Sequence, residues 1–207
     1  MKSEFVNIHT HRPTHRGIEL RQAGIHPWHA EEYAAGQLPI LDERTEAIGE
    51  IGLDFRCSVP REVQFEVFRR QLELAQRLDM AVVLHCVKAF QPTLQCLHQT
   101  PPRAVIFHGF IGSRQEALEA LRRGYYLSFG ERTFLSPKTI EALRSLPLDH
   151  VFFETDDSPT PIEEIYTRMA ELLSTSIEHL QRITTENYLR IFDSSAPQIA
   201  ESIPINK

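Results

Sequence analysis

The sequence predicts a parallel α/β barrel of about seven strands, on three observations. Short apolar segments alternate with amphipathic stretches of helical period. Most of the apolar segments are continuous runs, the mark of strands covered on both faces. The turn after the first segment, Thr10-His11-Arg12-Pro13, holds no glycine. An open nucleotide-binding sheet usually has a glycine-rich turn at that point, so closure into a barrel is favoured.

The predicted strands are Phe5–His9, Gln22–His26, Ala47–Leu53, Ala81–His85, Ala104–His108, Tyr125–Phe129 and Val151–Glu154. Helices are predicted between them. From Arg61 to Asp79, Phe65, Phe68, Leu72 and Ala75 recur at helical spacing behind Pro60. Ser113 and Glu116 form a capping-box pattern, and Gly124 ends that helix. Ser136-Pro137 starts another helix, with Ile140, Leu143 and Leu146 on one face. Thr160, Pro161 and Glu163 repeat the start signal ahead of Ile165, Met169 and Leu172. A last helix runs from Ile177 to Phe192 with an expected break near Thr184. The stretch from Asp193 to Lys207 has no period and is expected to be a poorly ordered tail.

The 207 residues suit one domain, residues 1–192, followed by that tail. Hydrophobic residues make up 42% and charged residues 24%, as in ordinary globular proteins. No apolar run approaches the roughly 18 residues of a membrane span. No basic flank and apolar stretch follow Met1, so a secretory signal is not expected. Cys57, Cys86 and Cys96 give an odd count without paired spacing. That fits a reducing, cytoplasmic setting rather than a disulfide framework. The net charge of -6 argues against a broad basic face for DNA, although bound cations can reverse the sign of one site.

Polar groups end or interrupt the apolar runs. His9 and His11 end the first, and Glu50 lies within Gly49-Glu50-Ile51-Gly52-Leu53-Asp54. His85 and His108 end two more, and Asp156 follows Val151–Glu154. The carboxyl ends of barrel strands converge on one face, where active sites are built. His9 and His11, two apart on extended chain, point to the same side. A single buried histidine is more often a hydrogen-bonded core residue than a ligand. Four histidines and two acids at five strand ends point to a cation site. Imidazole with carboxylate suits zinc, manganese, iron or nickel. Six ligands exceed the needs of one ion, and Glu50 is the natural bridge between two.

At these residues the sequence resembles the TatD family of metal-dependent deoxyribonucleases, a branch of the amidohydrolase-like barrels. The resemblance rests on Asn7-Ile-His9-Thr-His11, Gly24-Ile-His26-Pro27, Ala47-Ile-Gly-Glu50-Ile-Gly-Leu-Asp54, Leu84-His85, His108-Gly-Phe-Ile-Gly112-Ser113, Leu127-Ser-Phe-Gly130 and Glu154-Thr-Asp156. It implies a distorted or incomplete TIM-type (β/α) barrel. It also implies hydrolysis of phosphodiester bonds in DNA or a small substrate with two divalent ions (zinc, magnesium, manganese or nickel). His9, His11, Glu50, His85, His108 and Asp156 fall on the family's metal positions, and His26 on a position near the substrate phosphate. This sequence departs from the family in three ways. Asn7 replaces an aspartate, and an amide there is expected to orient His9 or His11. The stretch between His11 and Gly24 is shorter than the family's, so a strand–helix unit is missing or replaced by Arg16–Arg21. Cys86-Val87-Lys88 stands where Ser-Arg is common.

The expected mechanism is metal-assisted phosphodiester hydrolysis. Asp156 acts as ligand and general base, and Glu50 bridges. His26, Arg56 and Lys88 balance the phosphate charge. Two rivals are weighed: an amidohydrolase-like enzyme acting on another ester or amide, and a non-catalytic metal-binding protein. No lysine stands at a strand end to form a carbamylated bridge, which favours the first reading.

Overall fold

The computed structural model describes residues 4–33 and 38–193. Of the expected tail, only Asp193 lies within them. Eight short strands are all paired in parallel: β1 (Val6–Asn7), β2 (Ile18–Glu19), β3 (Gln22–Ala23), β4 (Ala47–Asp54), β5 (Ala81–Val87), β6 (Val105–Phe107), β7 (Tyr126–Phe129) and β8 (Val151–Phe153). The six strands β3 to β8 form one sheet in chain order, and β1 pairs with β2. β2 and β3 belong to one short stretch, which meets β1 at its start and β4 at its end. Backbone bonds from Ile8 N–H to Phe153, from Asp156 N–H to His9 and from His11 N–H to Asp156 carry the pairing from β8 back to β1. The hydrogen-bonded ring thus has seven strand positions.

The core has two parts. Inside the ring, Ile8, Leu20, Ala47, Val83, Ile106, Tyr126 and Phe152 pack together, at least one from each strand position, with Ile191 among them. Outside, Ile48, Leu53, Val82, Leu84, Phe107 and Phe153 pack against the helices. Both faces of the strands are therefore buried, which is why they read as unbroken apolar runs.

The helices are α1 (Arg61–Arg77), α2 (Phe90–Gln99), α3 (Arg114–Arg122), α4 (Pro137–Arg144), α5 (Ile162–Leu173) and α6 (Ile177–Phe192). The capping box at Ser113 and Glu116 forms with both reciprocal bonds, and Gly124 follows α3 with φ +74°. α6 corrects one expectation, since it is unbroken at Thr184. The Thr184 hydroxyl bonds back to the Leu180 carbonyl at 2.9 Å and meets the Tyr166 hydroxyl at 2.8 Å. Its polar group is thus satisfied without leaving the helix. β2 and α2 were not predicted. A two-residue strand carries no period, and α2 contains Pro92 and few apolar residues.

Two devices in β4 position the site. Its pairing with β5 shifts between Ile48 and Ile51, so three steps on β4 oppose two on β5. The extra residue is a bulge that contains Glu50 and turns its side chain inward. Gly52 adopts φ +138° opposite His85, and a Cβ there would lie 2.1 Å from the His85 carbonyl oxygen. Only glycine allows the two strands to come so close.

Candidate metal centre

The strand ends bring all six predicted ligands into one cluster. His85 has the strand parity of Ala81 and Val83, and His108 that of Ile106, so both imidazoles point into the ring with those core residues. His9 and His11 leave β1 together and meet Asp156, which is held by the backbone bonds joining it to His9 and His11. Those bonds keep Asp156 at φ +54°, a conformation a non-glycine residue adopts only under such constraint.

Glu50 sits between two groups of ligands. Its Oε2 lies 3.4 Å from His9 Nε2 and 3.5 Å from His11 Nε2, and Asp156 Oδ1 is 3.6 Å from both nitrogens. Its Oε1 lies 2.6 Å from His108 Nε2, 2.7 Å from His85 Nδ1 and 3.3 Å from His26 Nε2. One carboxylate therefore faces both halves of the cluster, one oxygen to each.

The far sides of the rings carry their own partners. Asp54 Oδ2 lies 3.1 Å from His85 Nε2, and Glu154 Oε1 lies 3.4 Å from His108 Nδ1. A carboxylate only accepts, so these contacts call for a proton on His85 Nε2 and on His108 Nδ1; with a cation beside Glu50, the nitrogens facing it would then offer their lone pairs. At His9 the far nitrogen, Nδ1, meets the side-chain amide of Gln22. His26 is reversed. Its Nδ1 accepts from the backbone N–H of Trp28 at 3.2 Å, which leaves the proton on Nε2, facing Glu50. Within a neutral ring, His26 is a donor into the cavity rather than a ligand.

Protonation follows the same geometry. Burial alone would push the Glu50 carboxyl up, but His108, His26, His85 and His9 outweigh it and hold it far below the usual range. Burial likewise opposes the charge on His108 and His9. Glu154 and Glu50 reverse this for His108, and Asp156 and Glu50 for His9, so both are raised. Burial lowers His26, with Glu50 only partly compensating, which keeps that ring neutral. Burial would push Asp156 up, but the neighbouring His9 and His108 imidazoles outweigh it and hold it low.

The donor set fits divalent cations. It combines imidazoles and carboxylates within ligand reach of one another, and His9 Nε2 is buried with no hydrogen-bond partner. The protons that His9 and His108 gain are those a cation would displace.

The other predicted site residues separate. His26 lines the same cavity, about 810 Å³, as Glu50, His85, His108 and Asp156. Arg56 and Lys88 are exposed and do not line it. Arg132, not predicted, lines it and pairs with Asp157 at 3.6 Å. Asn7 corrects an expectation: it bonds Thr155 through both amide atoms and touches neither His9 nor His11, because Thr155 is the nearer partner across the β1–β8 junction. Asp54 and Glu154 carried a legible signal, a carboxylate closing an apolar run. Gln22 and Arg132 carried none.

A family model described as TatD related DNase matches residues 19–193. The uncharacterized metal-dependent hydrolase YabD of Bacillus subtilis is 33% identical over 72% of this chain and 66% of its own length. The chain thus spans just under two thirds of YabD. The deoxyribonuclease TATDN3 of Homo sapiens is 29% identical over 91% of this chain and 80% of its own. The crystal structure of a TatD family hydrolase from Entamoeba histolytica superposes with TM-score 0.73 at 17% identity, covering 86% of this chain and 75% of that one. That last likeness concerns the fold alone.

Proposed function

This chain belongs to the TatD-related DNase family, a family of metal-dependent hydrolases and deoxyribonucleases, and we propose that it hydrolyses phosphodiester bonds of DNA or a smaller phosphodiester with two divalent ions. The observation that carries the reading is Glu50, whose two oxygens face two separate ligand groups. His9, His11 and Asp156 would hold one ion and His85 and His108 the other, with Glu50 shared. Zinc, magnesium, manganese and nickel all suit such donors. Bound ions supply an acidified water and polarisation of the phosphoryl group.

The remaining work falls to the chain's own residues. Asp156 Oδ1, held low and ionised, accepts the proton of the attacking water. His26, neutral with its proton on Nε2, donates a hydrogen bond to a phosphate oxygen. Arg132, on the cavity wall, balances the phosphate charge in the role first expected of Arg56 and Lys88. No helix among the described residues is long and apolar enough to cross a membrane. The three unpaired cysteines suit a cytoplasmic enzyme.

The test is cleavage of labelled single-stranded DNA and of a generic phosphodiester with added divalent metal. Asp156→Asn should lower kcat by roughly 10²–10⁴-fold, the usual contribution of a general base. Full activity in Asp156→Asn or Glu50→Gln would defeat the reading.

A further inference from the structure

Three imidazoles face the cation cluster, and each has a partner on its far nitrogen. For His85 and His108 that partner is a carboxylate, from Asp54 and Glu154. For His9 it is the amide of Gln22, which contacts Nδ1. Two polar atoms of this pair are buried with no hydrogen-bond partner: His9 Nε2 and Gln22 Oε1. The second follows from which end of the amide meets the ring, and so does the protonation of the first. With the NH₂ at Nδ1, that nitrogen must accept, and the single proton of a neutral ring sits on Nε2, aimed at Glu50 and Asp156. The amide oxygen is then left with nothing to accept.

Rotating the amide by 180° exchanges oxygen and nitrogen with almost no change of shape. Oε1 then accepts the Nδ1 proton, and Nε2 presents a lone pair to the cluster, 3.4 Å from Glu50 Oε2 and 3.6 Å from Asp156 Oδ1. The rotation satisfies Oε1 and leaves Nε2 with a lone pair that a cation between it and the two carboxylates would take up. In a doubly protonated ring Nδ1 donates as well, so it again requires the amide oxygen. Gly49 gives the amide its room, because a Cβ there would come within 2.7 Å of Oε1.

We infer that Gln22 is the positioning residue of His9, accepting its Nδ1 proton and so reserving Nε2 for a cation. The inference rests on the metal-hydrolase reading above. Because the amide is neutral, His9 is a weaker donor than His85 and His108, which are backed by carboxylates. The ion on the His9 side is the more easily exchanged of the two.

The test uses metal-stripped full-length protein titrated with manganese or zinc by calorimetry. Gln22→Met keeps the length but removes the acceptor, and Gln22→Glu keeps the acceptor and adds charge. The Met variant should bind one ion roughly 10–100-fold more weakly, the usual effect of losing such a partner. The Glu variant should restore or exceed wild-type affinity. Long-range ¹H–¹⁵N spectra of ¹⁵N-histidine protein without metal should show the Nδ1–H form for His9, its signals identified with a His9→Gln variant. That form should be lost in Gln22→Met. Wild-type affinity and an unchanged His9 tautomer in the Met variant would overturn the inference. If the Met variant melts early, the Glu variant decides, and binding that is weakened there as well overturns it. A wild-type protein that binds no divalent ion defeats the hydrolase reading instead, and the spectra still judge Gln22.

Discussion

The hydroxyl of Tyr166 holds both backbone groups of Val6, accepting its N–H at 3.2 Å and donating to its carbonyl at 3.0 Å. β1 thereby gains from α5 the pairing that a two-residue strand cannot supply. The ring is fully buried and stacks edge-on to Phe5 and Phe153, and burial pushes its hydroxyl pKa up. Tyr166→Phe keeps the packing but strands the Val6 N–H. Unfolding in urea should show a loss of about 1–3 kcal/mol, the usual cost of a buried unsatisfied donor. An unchanged midpoint would mean that β1 is held by its strand neighbours alone.

Gly52 lets β4 approach β5 where it pairs with His85. Alanine there meets two obstacles, φ +138° and the His85 carbonyl oxygen 2.1 Å from the new Cβ. The backbone strain alone costs on the order of 1–3 kcal/mol. The forced shift of His85 should also weaken metal binding. Gly52→Ala should therefore lose thermal stability and metal affinity together, read by melting and by calorimetry on the same sample. Lower stability with unaltered affinity would show that His85 is positioned independently of that backbone.

Much of this arrangement was legible in the sequence because its two signals are local. A strand buried on both faces must be apolar throughout, so the run Ala47–Leu53 announces β4, and Glu50 inside it announces a charge with a purpose. His85, His108 and Asp156 showed the same contrast. What was not legible depends on contacts across the chain. β2 exists only through its pairing with Val6 and Asn7. Gln22 matters only because β3 sets it against His9, and nothing in the neighbouring residues marks it. Asn7 misled for the same reason. Its partner, Thr155, lies 148 positions away and becomes a neighbour only when β8 returns to β1.

Glu19 ties down the short connection that leads from β1 to β2. Its carboxylate accepts from the Thr14 N–H and hydroxyl, each at 2.9 Å, and from the His15 N–H at 3.0 Å. Burial pushes its pKa up, but these bonds outweigh that and leave it below the ordinary glutamate value. A group with a depressed folded pKa contributes stability above its unfolded pKa, about 4.3 for glutamate. That contribution is lost as the pH falls through the folded value. The stability gap between wild type and Glu19→Gln should therefore be constant from neutral pH down to about 5, then narrow in more acidic solution. A gap that widens on acidification would reverse the assignment.

Trp28 is the chain's sole tryptophan, so its emission reports on one place. Its indole N–H donates to Asp54 Oδ2 at 2.7 Å, and the same oxygen lies 3.1 Å from His85 Nε2. The two ring centroids are 6.0 Å apart, yet the tryptophan is 57% exposed on the cavity rim. An ion held by His85 Nδ1 would thus stand one imidazole away from the fluorophore. Nickel or manganese added to metal-free protein should quench the emission saturably, with the midpoint that calorimetry gives for binding. Trp28→Phe should bind the metal with little change, since the Asp54–His85 contact does not need the indole. Quenching absent while calorimetry records binding would show that the ions settle elsewhere. Trp28→Phe binding much more weakly would instead mean that the indole N–H fixes Asp54 behind His85.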